Sequence, residues 1–164
     1  MMVRVATKLT YELTYQAPLT DVGEMLMEPS FREAVCAAQG ALRTDVSVGP
    51  GGSGMKVVVD QVQASAGMPG FAKKFVGDEI NLIQTELWSD LENAEVEVEI
   101  PGKPGQMAGT ITLHEADGTT TETVSMEIKV GIPLVGGKIE GLIADLLRKA
   151  LQKENEVGRT HLAG

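Results

Sequence analysis

The segment IPLVGGKIEGLIADLLRKALQKENEVG, residues 132–158, decides the fold. Within it Ile139, Leu142, Ile143, Leu146, Leu147, Ala150 and Leu151 recur at alternating spacings of three and one, which winds a single apolar stripe along an α-helix. Lys138, Glu140, Asp145, Arg148, Lys149 and Gln152 fill the rest of the surface. The pattern predicts a helix over 138–157, about 30 Å long, with Gly158 as its stop. Gly141 stands away from the stripe, where glycine costs about 1 kcal/mol relative to alanine. So long a stripe needs a broad apolar partner.

Working upstream, that partner is a sheet. From Val3 to Tyr15 the odd positions Val5, Leu9, Tyr11 and Leu13 alternate with Arg4, Lys8, Thr10 and Glu12, the period of a half-buried strand that Pro18 ends. Two short helices follow. Leu19, Val22, Met25 and Leu26 share a face after a capping-box spacing of Asp21 and Glu24. Pro29 opens the second helix, with Ser30 and Glu33 in the same spacing, Phe31, Ala34, Val35 and Ala38 on one face, and Gly40 at its end. Alternation then returns at 42–48, 55–60, 94–100, 111–113 and 124–130, with Asp117-Gly118 as a tight-turn signal. Residues 78–88 are also strand-like, but Ile80 and Leu82 compete with Ile83 and Leu87 for the inner face. About seven strands joined by short turns imply an antiparallel sheet.

The expected architecture is α+β and a single domain over 1–164: a curved antiparallel sheet wrapped around the C-terminal helix, with two short helices after the first strand. This order resembles the START-like superfamily, the polyketide cyclase/dehydrase and lipid-transport (SRPBCC) group, whose fold is the helix-grip. The resemblance is carried by Val22, Met25, Leu26, Pro29 and Phe31 in APLTDVGEMLMEPSF, and by Pro133, Gly136, Gly137 and Glu140 in the closing segment. Glu86-Leu-Trp88 is similar to one bacterial branch of that group. What the resemblance implies is a cavity between helix and sheet that takes a lipid-like, hydrophobic or amphipathic small molecule. It supplies no catalytic residue, and no cofactor is expected. A polyketide-cyclase-like enzyme and an interaction module using an acidic face are the alternatives.

Composition narrows the partners. With 14 basic and 23 acidic residues the formal charge is −9, which repels phosphate backbones and argues against nucleic acid. No apolar run approaches the length needed to cross a bilayer, and the single cysteine, Cys36, implies no disulfide framework, so a cytoplasmic protein without stable membrane insertion is expected. Nothing in the sequence assigns an oligomeric state. Gly49, Gly51 and Gly54 match a dinucleotide fingerprint, but a strand follows where that motif needs a helix, so GPGGSG is a hairpin loop. His114 and His161 are far apart, the latter in a tail expected to fray, and no metal cluster is predicted. Glu95, Glu97 and Glu99 share one strand face, the pattern of a solvated sheet surface. Cys36 is expected to be a small core residue.

Polar residues at inward parity are the informative ones. Thr7, Thr44, Gln61 and Gln63 lie in register with apolar neighbours, where an unpartnered amide costs about 1–3 kcal/mol. Such groups usually satisfy one another or a water; they also suit an apolar cavity that orients its ligand through a few polar handles. Phe71 and Phe75, four apart behind the flexible Met68-Pro69-Gly70, would share a helical turn, either as a satellite cluster under a loop or as a gate at the cavity mouth. Met55 and Met126 also have inward parity. The candidate ligand-binding residues are Gln61, Phe71, Phe75, Gln84, Trp88, Met126, Ile143 and Leu147.

Overall fold

The structure, a computed structural model, describes residues 6–164. The expected start of the first strand at Val3 lies outside the described residues. In chain order the elements are β1 (Thr7–Tyr15), α1 (Leu19–Leu26), α2 (Pro29–Ala38), β2 (Arg43–Gly51), β3 (Gly54–Ala64), α3 (Gly70–Val76), β4 (Glu79–Trp88), β5 (Asn93–Glu99), β6 (Gly105–Ala116), β7 (Thr119–Val130) and α4 (Gly136–Ala163). The seven strands form one antiparallel sheet in the order β1-β7-β6-β5-β4-β3-β2. α4 packs against β1, β7 and α2, so the sheet grips the helix as expected.

The turn chemistry follows the sequence. Ala116 pairs with Thr119 across a two-residue loop in which Asp117 and Gly118 both take positive φ (52° and 78°), the geometry of a type I′ hairpin. GPGGSG likewise closes the β2–β3 hairpin, with Gly51 paired to Gly54. At the end of α2, Gly40 has φ +83°; its N–H bonds to the Ala37 carbonyl and the Ala41 N–H to that of Cys36, a Schellman cap.

The helix starts differ from expectation. Neither capping box forms: α1 and α2 have Pro18 and Glu28 as N-caps, with no side-chain bond. Instead the Leu19 N–H donates to Glu115 Oε1 of β6 at 2.7 Å, so the sheet caps the helix. α4 runs through Gly158 to Ala163, because Gly158 is buried against β1 and tertiary contact overrides the stop signal. His161 is consequently helical and not frayed: its ring meets Phe31 edge-on with centroids 5.5 Å apart.

The buried face of α4 also departs from the stripe. Glu140, expected among the polar positions, is fully buried; it accepts the Thr7 hydroxyl and the Val130 N–H, both at 2.8 Å. Ala144, Leu151, Asn155 and Gly158 continue that line, while Leu142, Ile143 and Leu147 are only half-buried and Leu146 is exposed. Part of the apolar stripe therefore faces a space that the protein itself leaves unfilled.

On β4 the inner face belongs to Ile80, Leu82, Gln84, Glu86 and Trp88, whereas Leu87 is exposed. Met55 and Thr44 do not join the interior despite their parity. Met55 lies beside the β2–β3 turn and is exposed, and Thr44 is on β2, the sheet edge. Glu95, Glu97 and Glu99 point to solvent, His114 is exposed, and Cys36 is buried.

A candidate ligand cavity with a carboxylate-rich end

Between α4 and the concave face of the sheet lies a cavity of about 480 Å³. Its walls come from β3 to β7, from α2 and α3, and from the half-buried residues of α4. At one end Phe75 of α3, Ile80, Ile139 and Ile100 form an apolar cluster with Val130. Small apolar residues with period two on each strand and the 3.6 period on α4 converge here, so the space is aliphatic for most of its length.

The other end is ionic. Arg32 of α2 is 4% exposed and forms a bidentate pair with fully buried Glu86 of β4: its two terminal nitrogens reach Oε2 and Oε1 at 2.8 Å each. Arg32 Nε donates to the Leu26 carbonyl at 2.8 Å. Glu86 also accepts from the Trp88 indole N–H at 2.9 Å and from Gln84 Nε2 at 2.6 Å. Every nitrogen of the guanidinium and both carboxylate oxygens are thus engaged, the condition under which a buried pair is tolerated. Burial works against the Glu86 carboxylate, but Arg32 and these donors outweigh it and hold the group below the ordinary carboxylate range.

Two further carboxylates face the same end. Glu122, between Leu13 of β1 and Leu113 of β6, is 2% exposed, and its Oε1 has no hydrogen-bond partner among the described residues. Glu154 reaches in from α4 and is half-buried. Burial, then the charge of Glu154, pushes the Glu122 carboxyl well above its ordinary value. Burial likewise pushes Glu154 up to about 7, with Arg32 opposing and Glu86 adding to the rise. Tyr15 is pushed up by burial first and then by Glu122 and Glu154. Among the described residues no three His, Cys, Asp or Glu side chains gather as a metal site.

Of the residues singled out in the sequence, Gln61, Phe75, Gln84, Met126, Ile143 and Leu147 line the cavity. Phe71 and Trp88 do not. Phe71 packs at the edge of the apolar cluster beneath the Lys138 ammonium, 5.0 Å from its ring centroid, and Trp88 lies behind the lining as a donor to Glu86. Gln63 lines the cavity and donates to Gln61 at 2.8 Å, whereas Thr7 is spent on Glu140.

Arg32, Glu122 and Glu154 were not anticipated, and Glu86 entered only as part of a resemblance. Parity carried the signal. Glu122 stands two residues before inward Val124, and Glu86 two after Gln84; Arg32 precedes Val35, Cys36 and Gln39 at i+3, i+4 and i+7. A charged residue in an inward register is itself the observation.

Solved structures share this fold at low identity. The Thermus thermophilus protein TTHA0849 aligns with a TM-score of 0.64 at 14% identity, covering 93% of this chain and 97% of that one. A truncated norcoclaurine synthase from Thalictrum flavum aligns at 0.63 and 13%, covering 99% and 96%. The di-domain ARO/CYC protein BexL of the BE-7585A biosynthetic pathway aligns at 0.63 and 12%, covering 96% of this chain and 50% of that one. No curated protein sequence matches. The fold is the helix-grip of the START-like group, and the chain belongs to the family described as protein of unknown function DUF2505, whose family model matches residues 10–162.

Proposed function

We propose that the protein binds a hydrophobic or amphipathic small molecule between its sheet and α4. The observation that carries this reading is the cavity of about 480 Å³, within the size range of small-molecule sites and lined mostly by aliphatic side chains. Removing apolar ligand surface from water is worth about 25 cal/mol per Å² before ordering costs. Gln61, Gln63 and Gln84 interrupt the apolar lining and orient what enters. That a synthase and an ARO/CYC protein use the same fold supports a small-molecule role. Extraction of the natively purified protein followed by mass spectrometry tests the reading. A retained apolar compound, displaced by the neutral probe N-phenylnaphthylamine, is expected; an empty protein that binds no such probe would overturn it.

A second reading, a cyclase-like enzyme, draws on Glu154, because a carboxyl group titrating near 7 is suited to accept and return protons at neutral pH. Turnover of a polyketide-like substrate, lost in Glu154→Gln, would favour it over binding alone.

A further inference from the structure

The ionic end of the cavity narrows the class of ligand, an inference that rests on the binding reading above. Glu122 Oε1 is buried, faces the cavity and has no donor among the described residues. Arg32 does not supply one: its three hydrogen bonds go to the Leu26 carbonyl and to Glu86, and none reaches Glu122. On α4, Lys153 pairs with Glu156 at 3.2 Å and Lys149 is exposed, so both belong to the rim. Among the described residues the groups facing this end are then Arg32 and Glu86, which cancel, Tyr15 behind them, and Glu122 with Glu154. The acidic pair is in excess.

We propose that Glu122 and Glu154 are the recognition groups for a cationic head, and that the ligand is an amphipathic aliphatic amine whose ammonium donates to Glu122 Oε1 while its chain lies along the apolar wall. An anionic head is disfavoured there, because among the described residues the one buried guanidinium is already paired with Glu86 and leaves no cation to receive it. A hydroxyl offers one donor and no charge, whereas an ammonium offers three donors and the missing positive charge. The chain is aliphatic because, among the described residues, Phe75 is the only aromatic one lining the cavity, the rest of its apolar wall being Val, Ile, Leu, Met and Ala. Carboxyls held protonated by burial must give up protons when the ammonium arrives, so binding is coupled to proton release.

Isothermal titration of the full chain at neutral pH with decylamine, decanol and decanoate, each below its micelle-forming concentration, tests this. Decylamine is expected to bind about tenfold or more tighter than decanol, with decanoate weakest. Its binding heat should vary with the ionisation enthalpy of the buffer, the signature of released protons. Glu122→Gln and Glu154→Gln, both neutral and nearly isosteric, should bring decylamine down to the affinity of decanol. Equal binding of amine and alcohol by the native protein, tightest binding of decanoate, or an amine preference that survives both substitutions would overturn the amine and leave the cavity reading standing. Failure of all three probes to bind would overturn both. The wild-type comparison and the buffer series stand even where a variant does not fold.

Discussion

Gly158 of α4 packs against the ring of Tyr15: a methyl group built on Gly158 would sit 2.5 Å from Tyr15 Cε1 and 3.0 Å from its hydroxyl oxygen. Tyr15 is fully buried and cannot swing aside. The contact lets the helix pass within touching distance of β1, where Asn155 Nδ2 donates to the Thr14 carbonyl at 3.0 Å and Arg159 Nη2 to the Thr14 hydroxyl at 2.9 Å.

Gly158→Ala therefore sets a gain in helix propensity of about 1 kcal/mol against overpacking of about 1–3 kcal/mol, and a net loss of stability is expected. Gly141 supplies the internal control. It lies in the same helix, and a methyl group there meets nothing within 4 Å. Gly141→Ala should raise the melting temperature by about 2–4 °C, the size of the propensity term alone. Thermal melts followed by circular dichroism check both. A stabilising Gly158→Ala would refute the packing argument.

The Arg32–Glu86 pair makes a different prediction. Arg32→Met leaves fully buried Glu86 with two donors and no countercharge, and should cost about 3–5 kcal/mol in urea denaturation. Glu86→Leu should cost a similar amount by stranding Arg32. The double variant should be far more stable than the two losses added together, because neither member of the pair is then left buried without the other. Additive losses would mean that the two residues are not coupled.

Filling the cavity should block it without unfolding the protein. Leu147 is half-buried and lines the space. Leu147→Trp adds bulk where there is room for it, so its cost should stay below about 1 kcal/mol, less than the overpacking of a filled core. Binding of N-phenylnaphthylamine should fall at least about tenfold, measured by fluorescence titration. Unchanged affinity would place the probe elsewhere.

How much of this was legible beforehand follows from what each signal measures. Alternation and the 3.6 period report burial of apolar residues, so the seven strands, the two short helices after β1 and the grip of the sheet on α4 were readable. Asp117-Gly118 and Gly40 were readable because the turns they occupy demand positive φ. The limits of α4 were not, since Gly158 is a stop signal until Tyr15 is known to lie against it. Nor was the face of α4 that carries Glu140, because its partners Thr7 and Val130 are distant in sequence. The ionic end was hidden for the same reason. Arg32, Glu86, Glu122 and Glu154 come from four separate elements, so an inward register marks Arg32, Glu86 and Glu122 one by one without showing that they meet. Only the three-dimensional pairing of Arg32 with Glu86 exposes the excess acidic groups beside them.

That excess predicts an unusual dependence of stability on pH. Glu154 titrates near 7 in the folded protein against an ordinary value of 4.5. Between those values the folded state holds a proton that the unfolded chain releases, so stability falls as pH rises. The contribution is fully present below about pH 4.5 and lost as pH passes through about 7, with Glu122 acting in the same direction. A shift of that size sets a ceiling of about 3 kcal/mol, and the water that reaches half-buried Glu154 lowers it. Glu86 acts oppositely: its carboxyl is held below the ordinary range, so its contribution is present above that range and lost as pH falls through its folded value. Melting temperature should therefore peak near about pH 5 and decline on both sides. Glu154→Gln, which cannot ionise, should flatten the decline between about pH 5 and 7 while leaving the acid limb in place. A wild-type protein more stable at pH 8 than at pH 5 would show that Glu122 and Glu154 are not held protonated by burial, and that the cavity end is already charged before any ligand arrives.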